Sequence, residues 1–174
     1  MKVTFLGTRA EIEIRSRRHR RHSALLIEQD DARIMIDCSS DWLHRLYAIA
    51  PTAIVLTHAH ADHAAGLFNG APCPVYATAA TWKSLGRLPI LDRRTMPLRR
   101  AVLIGGVRFS AVPVQHSIRA PAVGYSVLAS GCSFFYLPDV AELPEASGAL
   151  RGIDVYIGDG SAIGRSIVRR KGGE

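Results

Sequence analysis

The stretch Ala53-Ile54-Val55-Leu56-Thr57-His58-Ala59-His60-Ala61-Asp62-His63 joins an unbroken apolar run to three histidines and an aspartate. Four apolar residues in succession, 53–56, suit a strand buried on both faces. On the extended segment that follows, His58 and His60 stand two apart and project to the same side, so both can reach one metal ion. Asp62 is placed to open a helix, with His63 beside it turned toward a second ion. Ala64, Ala65 and Gly66 then let that helix pack closely behind the site. Imidazole and carboxylate donors suit Zn2+, with Mn2+ or Fe2+ as further occupants. A lone histidine is more often structural. Here three of the chain's seven histidines fall inside one H-x-H-x-D-H pattern, which singles it out as a metal cluster.

Outward from this block the chain reads as strands in consecutive hairpins. Residues 3–6 form a strand closed by Gly7-Thr8, and 24–28 and 33–37 form a hairpin around Gln29-Asp30-Asp31. Ser40 is read as capping a helix to about Ile49, with Leu43, Leu46 and Tyr47 on one face. After the metal block come a short strand at 74–77 and a helix from Ala79 to Leu85 that stops at Gly86. Residues 87–101, rich in proline and arginine, read as a loop. Gly105-Gly106 turns 102–104 into 107–114, and Ser130-Gly131 turns 124–128 into 133–137. A helix-like stretch at 141–150 is broken by Pro144 and Gly148, and 154–157 is the last strand. The pattern predicts antiparallel or mixed sheets covered by helices, an α+β domain spanning 1–174.

The 174 residues are 48% hydrophobic and 21% charged, which excludes disorder and coiled-coil readings. No apolar run is long enough to cross a bilayer, and no signal-peptide pattern opens the chain, so a cytoplasmic location is expected. Cys38, Cys73 and Cys132 lie far apart and read as small buried residues. The net charge of +7 points to phosphate-bearing partners, nucleic acid included. It is concentrated in Arg15, Arg17, Arg18, Arg20 and Arg21, and again in Arg165, Arg169, Arg170 and Lys171. The like charges of 15–22 predict a loop, in which His19 and His22 are read as solvated.

Four features together resemble the metallo-β-lactamase fold. They are Asp37 at a strand end, the block at 58–63, His116 after the strand 107–114, and Asp139 in Tyr136-Leu137-Pro138-Asp139. The opening residues 1–8, the arginine-rich loop and Ser23-Ala24-Leu25-Leu26-Ile27 are similar to the ribonuclease Z and phosphodiesterase branch of that superfamily. The resemblance implies a four-layer αββα sandwich. It also implies that His58, His60 and His116 hold a first metal, that Asp62 and His63 hold a second, that Asp139 bridges them, and that Asp37 orients the histidine loop from behind. From the residues alone, the alternatives are that Asp37 is only a turn residue and Asp139 a helix cap before Ala141, and His116 by itself is ambiguous. Asp159-Gly160-Ser161 resembles the stretch before the family's last histidine ligand and its acid/base histidine, and neither histidine occurs in 161–174. The expectation is that the C-terminal strand and helix are missing, by truncation, unless a partner in a homodimer supplies the ligand or the protein is a degenerate binder.

These readings predict a metal-dependent hydrolase that uses a metal-bound hydroxide, with Asp62 catalytic and Arg17, Arg18, Arg20 and Arg21 holding a phosphodiester such as RNA or a cyclic phosphate. Two alternatives stand beside it. One is a non-catalytic metal- and nucleic-acid-binding module. The other is an iron-dependent oxidoreductase of the same fold using His58, His116 and a carboxylate.

Overall fold

A computed structural model describes residues 1–11, 15–116, 120–143 and 146–160. Strands β1 (Lys2–Gly7), β2 (Ala24–Gln29) and β3 (Ala32–Ile36) pair antiparallel, with Ile27 opposite Ile34 and Val3 opposite Ile27. The direction then changes. Strands β4 (Ala53–Val55), β5 (Val75–Ala77) and β6 (Arg93–Thr95) continue the sheet parallel to β3, in the order β1-β2-β3-β4-β5-β6. Parallel neighbours need crossovers. These contain a 3-10 turn Ser40–Trp42 and α1 (Leu46–Ile49), then α2 (Ala61–Ala64) with the 3-10 turn Ala65–Leu67, then α3 (Ala79–Leu85).

The second sheet has the order β11-β10-β9-β8-β7, from β7 (Ala101–Ile104), β8 (Val107–Val114), β9 (Ala122–Ala129), β10 (Cys132–Leu137) and β11 (Val155–Gly158). Its first four strands are antiparallel, and β10 and β11 are parallel, with the single turn α4 (Ala146–Ala149) between them in sequence. Gly105 and Gly106 both have positive φ, +51° and +78°, which the two-residue hairpin turn between β7 and β8 requires.

Strand alternation gives the first sheet two apolar faces. Leu25, Ile27, Ile34, Ile36 and Val55 meet Phe109, Ala111, Tyr125 and Val127 of the second sheet. On the opposite face Met35, Ile54, Leu56 and Val75 are covered by Trp42, Leu46, Leu67, Trp82 and Leu85 from the helical segments. The buried Tyr125 hydroxyl donates to the Leu56 carbonyl oxygen at 2.8 Å and ties the two sheets together beside the metal block. Helices, sheet and sheet make three layers. The described residues do not show the fourth, helical layer.

Because β3 to β6 are parallel, their carboxyl ends share one edge, and the segments carrying Asp37, His58, Thr78 and Met96 follow one another along it. Ligands of such sheets bind outside these ends. The turn between β1 and β2 opens on the same edge. The start of β9 reaches it too, since the Val123 N–H donates to the Thr57 carbonyl oxygen at 3.1 Å.

Several expectations are corrected. Ser39, not Ser40, caps the segment after β3, accepting from the Asp41 N–H, and the expected helix to Ile49 splits into a 3-10 turn and one α turn. Tyr47 is exposed and Trp42 is buried instead. Arg93–Thr95 is an edge strand rather than loop. Cys132 is exposed, and Cys73 half-buried, while Cys38 is buried as expected. Pro144, Ser161 and the basic cluster Arg165, Arg169, Arg170 and Lys171 lie outside the described residues. No helix among the described residues is long and apolar enough to cross a membrane.

Gly66 explains how the 3-10 turn after α2 approaches the segment that follows β3. A Cβ there would fall on the Ser39 carbonyl oxygen and 2.5 Å from Cys38 Sγ, while the Gly66 N–H donates to the Cys38 carbonyl oxygen at 2.9 Å. Gly66→Ala is therefore expected to cost about 2–3 kcal/mol, as overpacking against backbone does. Thermal unfolding measures it, and an unchanged Tm would show that this close approach is not tight.

Candidate metal centre

The loop after β4 begins at Thr57, whose N–H and hydroxyl both bond Asp37 Oδ1, at 2.8 and 3.0 Å. Asp37 is fully buried just past the end of β3 and takes a left-handed φ of +62°, a conformation that aspartate tolerates better than most residues. Its Oδ2 accepts from His63 Nδ1 at 2.8 Å. The same oxygen lies 2.9 Å from Thr57 Oγ1, which is 3.0 Å from His58 Nδ1. Asp37 thus fixes two imidazoles, His63 directly and His58 through Thr57. In each case the Nδ1 proton is engaged behind the ring, and Nε2 is left as the donor atom pointing forward.

Forward of these rings the donor atoms converge. His58 Nε2 and His116 Nε2 lie 3.0 and 3.2 Å from His60 Nδ1, and each lies 3.5 Å from Asp139 Oδ2. Ligands on a tetrahedral zinc with bonds of roughly 2.0–2.1 Å stand about 3.3 Å apart, so these separations match the edges of one coordination shell. A second set abuts the first. His63 Nε2 lies 3.3 Å from Asp62 Oδ2 and 3.1 Å from Asp139 Oδ2. One oxygen, Asp139 Oδ2, belongs to both sets. His58, His60, His116 and Asp139 form one candidate ligand group, and Asp62, His63 and Asp139 the other.

The chemistry of the donors fits cations. The rings of His60, His63 and His116 all stand with centroids 4.2–4.9 Å from that of His58, and His60 and His116 are 5.0 Å apart. Burial, then the charge of His63 and of the other imidazoles, pushes His58 far below the usual histidine range against the pull of Asp139, and a neutral imidazole is the form that binds a cation. Burial opposes ionisation of Asp139, but the imidazole of His63, with His58 and His116, outweighs it and holds the carboxyl well below the usual range. For His63 burial is likewise outweighed, by Asp37, Asp139 and Asp62, and its pKa rises. Asp62 Oδ1 is buried and lacks a hydrogen-bond partner among the described residues, as expected of an atom that faces an ion or water.

The sequence-predicted residues are therefore brought together, apart from the arginines. Arg17, Arg18 and Arg20 are exposed in the turn between β1 and β2. Arg21 is half-buried, and its guanidinium stacks on Trp42 at 4.8 Å, which makes it part of the framework. His19 is exposed as expected, whereas His22 is half-buried, with Nε2 2.6 Å from Arg9 Nη2. Sequence reasoning missed Thr57 and Arg9. Arg9 is buried and pairs with Asp41 at 3.5 Å, while the His22 N–H donates to the same Asp41 oxygen at 2.9 Å. A threonine directly before the first histidine was the available signal for Thr57. Arg9 stands alone, ahead of the basic run 15–22, and nothing in its neighbours marks it.

The chain belongs to the metallo-β-lactamase superfamily: residues 32–168 match the family described as the beta-lactamase superfamily domain. It is 29% identical over 178 residues to a ribonuclease Z of Bradyrhizobium diazoefficiens, covering 86% of this chain and 57% of that protein. The chain thus spans a little over half the length of that relative. Among solved structures, Zn2+-bound PqqB from Methylobacterium extorquens superposes with a TM-score of 0.72 at 20% identity, over 91% of this chain and 72% of that one. A diphosphatase of the PhnP family superposes with a TM-score of 0.60 at 27% identity, over 79% and 59%.

Proposed function

We propose that this protein is a zinc-dependent hydrolase of phosphodiesters. The observation that carries the reading is the pair of donor sets joined at Asp139 Oδ2, an arrangement suited to two ions held side by side. His58, His60 and His116 with Asp139 would hold one Zn2+, and Asp62 and His63 with the same Asp139 oxygen the other. When bound, the ions supply Lewis acidity and bring the pKa of water from about 15.7 toward 7. Asp37 and Thr57 keep the rings of His58 and His63 aimed, so no reorganisation is needed during reaction. Asp62 Oδ1, with no partner among the described residues, is available to accept a hydrogen bond or proton from water in the site.

Phosphate as the reacting group is supported by the position of the exposed arginines. Arg17, Arg18 and Arg20 stand in a turn that opens on the same sheet edge as the donor sets, and guanidinium groups bind phosphate oxygens in bidentate fashion. The likeness to a ribonuclease Z and to a PhnP-family diphosphatase points the same way. Replacing Arg17, Arg18 and Arg20 by Ser should weaken binding of a single-stranded oligonucleotide. It should also flatten the dependence of log K on log salt by about 0.7 for each phosphate no longer neutralised, roughly 2 in all. Arg21 is left in place because its side chain packs on Trp42. Fluorescence anisotropy across a salt series makes the measurement, and an unchanged slope would make the loop solvated surface. Elemental analysis of the purified protein tests the metal, with iron favouring an oxidoreductase over a hydrolase.

A further inference from the structure

The edge that carries the donor sets continues past β4 to β5 and β6, and there it opens into a cleft of about 370 Å³, within the range of ligand pockets. Its wall includes Thr78 and Ala79 at the start of α3, Met96 and Leu98 after β6, Pro113 near the end of β8 and Ala122 at the start of β9. These elements adjoin the metal block directly. Ala122 precedes Val123, which bonds Thr57, and Pro113 stands three residues before His116.

The lining has little to offer a polar group. Among the described residues no charged or amide side chain takes part, Thr78 and Thr95 bring the only side-chain hydroxyls, and three of the lining residues, Pro97, Pro113 and Pro121, have no N–H to donate. Thr78 Oγ1 is already engaged, 3.1 Å from the Thr81 N–H and 2.9 Å from the Thr81 hydroxyl. Leu98 is nevertheless 46% exposed, an apolar side chain left at the mouth of an apolar cleft. The order along the edge is then basic turn, donor sets, apolar cleft. A phosphate ester at the centre would have one arm toward arginine and the other toward a surface that rewards mainly the loss of apolar area from water. A nucleobase there would find few side-chain partners for the hydrogen bonds it loses to water, which disfavours it.

We infer that this cleft is a substrate pocket for an uncharged aryl group esterified to the phosphate, so the preferred substrates are aryl phosphodiesters rather than diesters of two nucleosides. The inference rests on the reading that the neighbouring centre binds phosphate.

The test uses the zinc-loaded full chain and two stable anions, phenylphosphonate and methylphosphonate, compared by calorimetry. Phenylphosphonate should bind about tenfold more tightly or better, as expected for a ring leaving water. Ala79→Trp, at an exposed position that fills the cleft, and Leu98→Asp should each bring phenylphosphonate to the methylphosphonate level and leave methylphosphonate unchanged. Equal affinities in the unaltered protein, or a phenyl advantage that survives both variants, would overturn the pocket. If neither anion binds, the phosphate reading fails, and saturation-transfer NMR with benzyl alcohol decides the pocket alone. A ring signal abolished by Ala79→Trp supports it, and absence of any ring signal overturns it.

Discussion

Replacing His58 and His60 together with alanine is expected to leave a folded protein with no tightly bound metal at the first donor set and hydrolysis reduced about a thousandfold or more. The two rings supply half of that set, and His116 with Asp139 cannot complete a tetrahedral shell. Several kcal/mol of charge stabilisation depend on the ion, and each 1.36 kcal/mol is tenfold in rate. The fold should persist because neither ring is part of the two apolar clusters that hold the sheets together and cover them. Elemental analysis and circular dichroism of the same preparation separate the effects. Undiminished metal in a folded double variant would refute the assignment of this donor set.

Much of this architecture is legible in the sequence, for reasons that differ by segment. The hairpins at Gly105-Gly106 and Ser130-Gly131 announce themselves because only certain residues accept the turn conformation, and α3 is bounded as expected by Gly86. The block at 58–63 is legible because its donors are close in the chain. His116 and Asp139 reach the centre only through the sheet topology, so a family resemblance was needed to join them to it. Edge strand β6 escaped notice because Arg93-Arg94-Thr95 are all exposed and carry no alternation, as suits a charged edge. The split of 40–49 was also hidden. Two serines stand in succession there, and it is Ser39 that accepts from the Asp41 N–H while Trp42 packs into the core. The burial of Arg9 left no local signal, since its contacts with Asp41 and His22 are long-range.

The shared carboxylate has the broader consequence, since it touches both sets. Asp139 Oδ2 stands 3.5 Å from His58 Nε2 and from His116 Nε2, and 3.1 Å from His63 Nε2, so it is counted in both shells. With Asp139 the first set has four protein donors and the second three, and titration of the metal-free protein with Zn2+ should show one tight and one weaker ion. In Asp139→Ala the second set keeps only Asp62 and His63, and its ion should be lost. The first set keeps three imidazoles and should hold its ion less tightly, with hydrolysis falling accordingly. Calorimetric Zn2+ titration of the unaltered protein beside Asp139→Ala is the most direct measurement of the central claim. The structure predicts that one substitution changes both phases, abolishing the weaker and loosening the tighter. A change confined to one phase, or two phases that persist unchanged, would contradict a centre built around a single bridging oxygen.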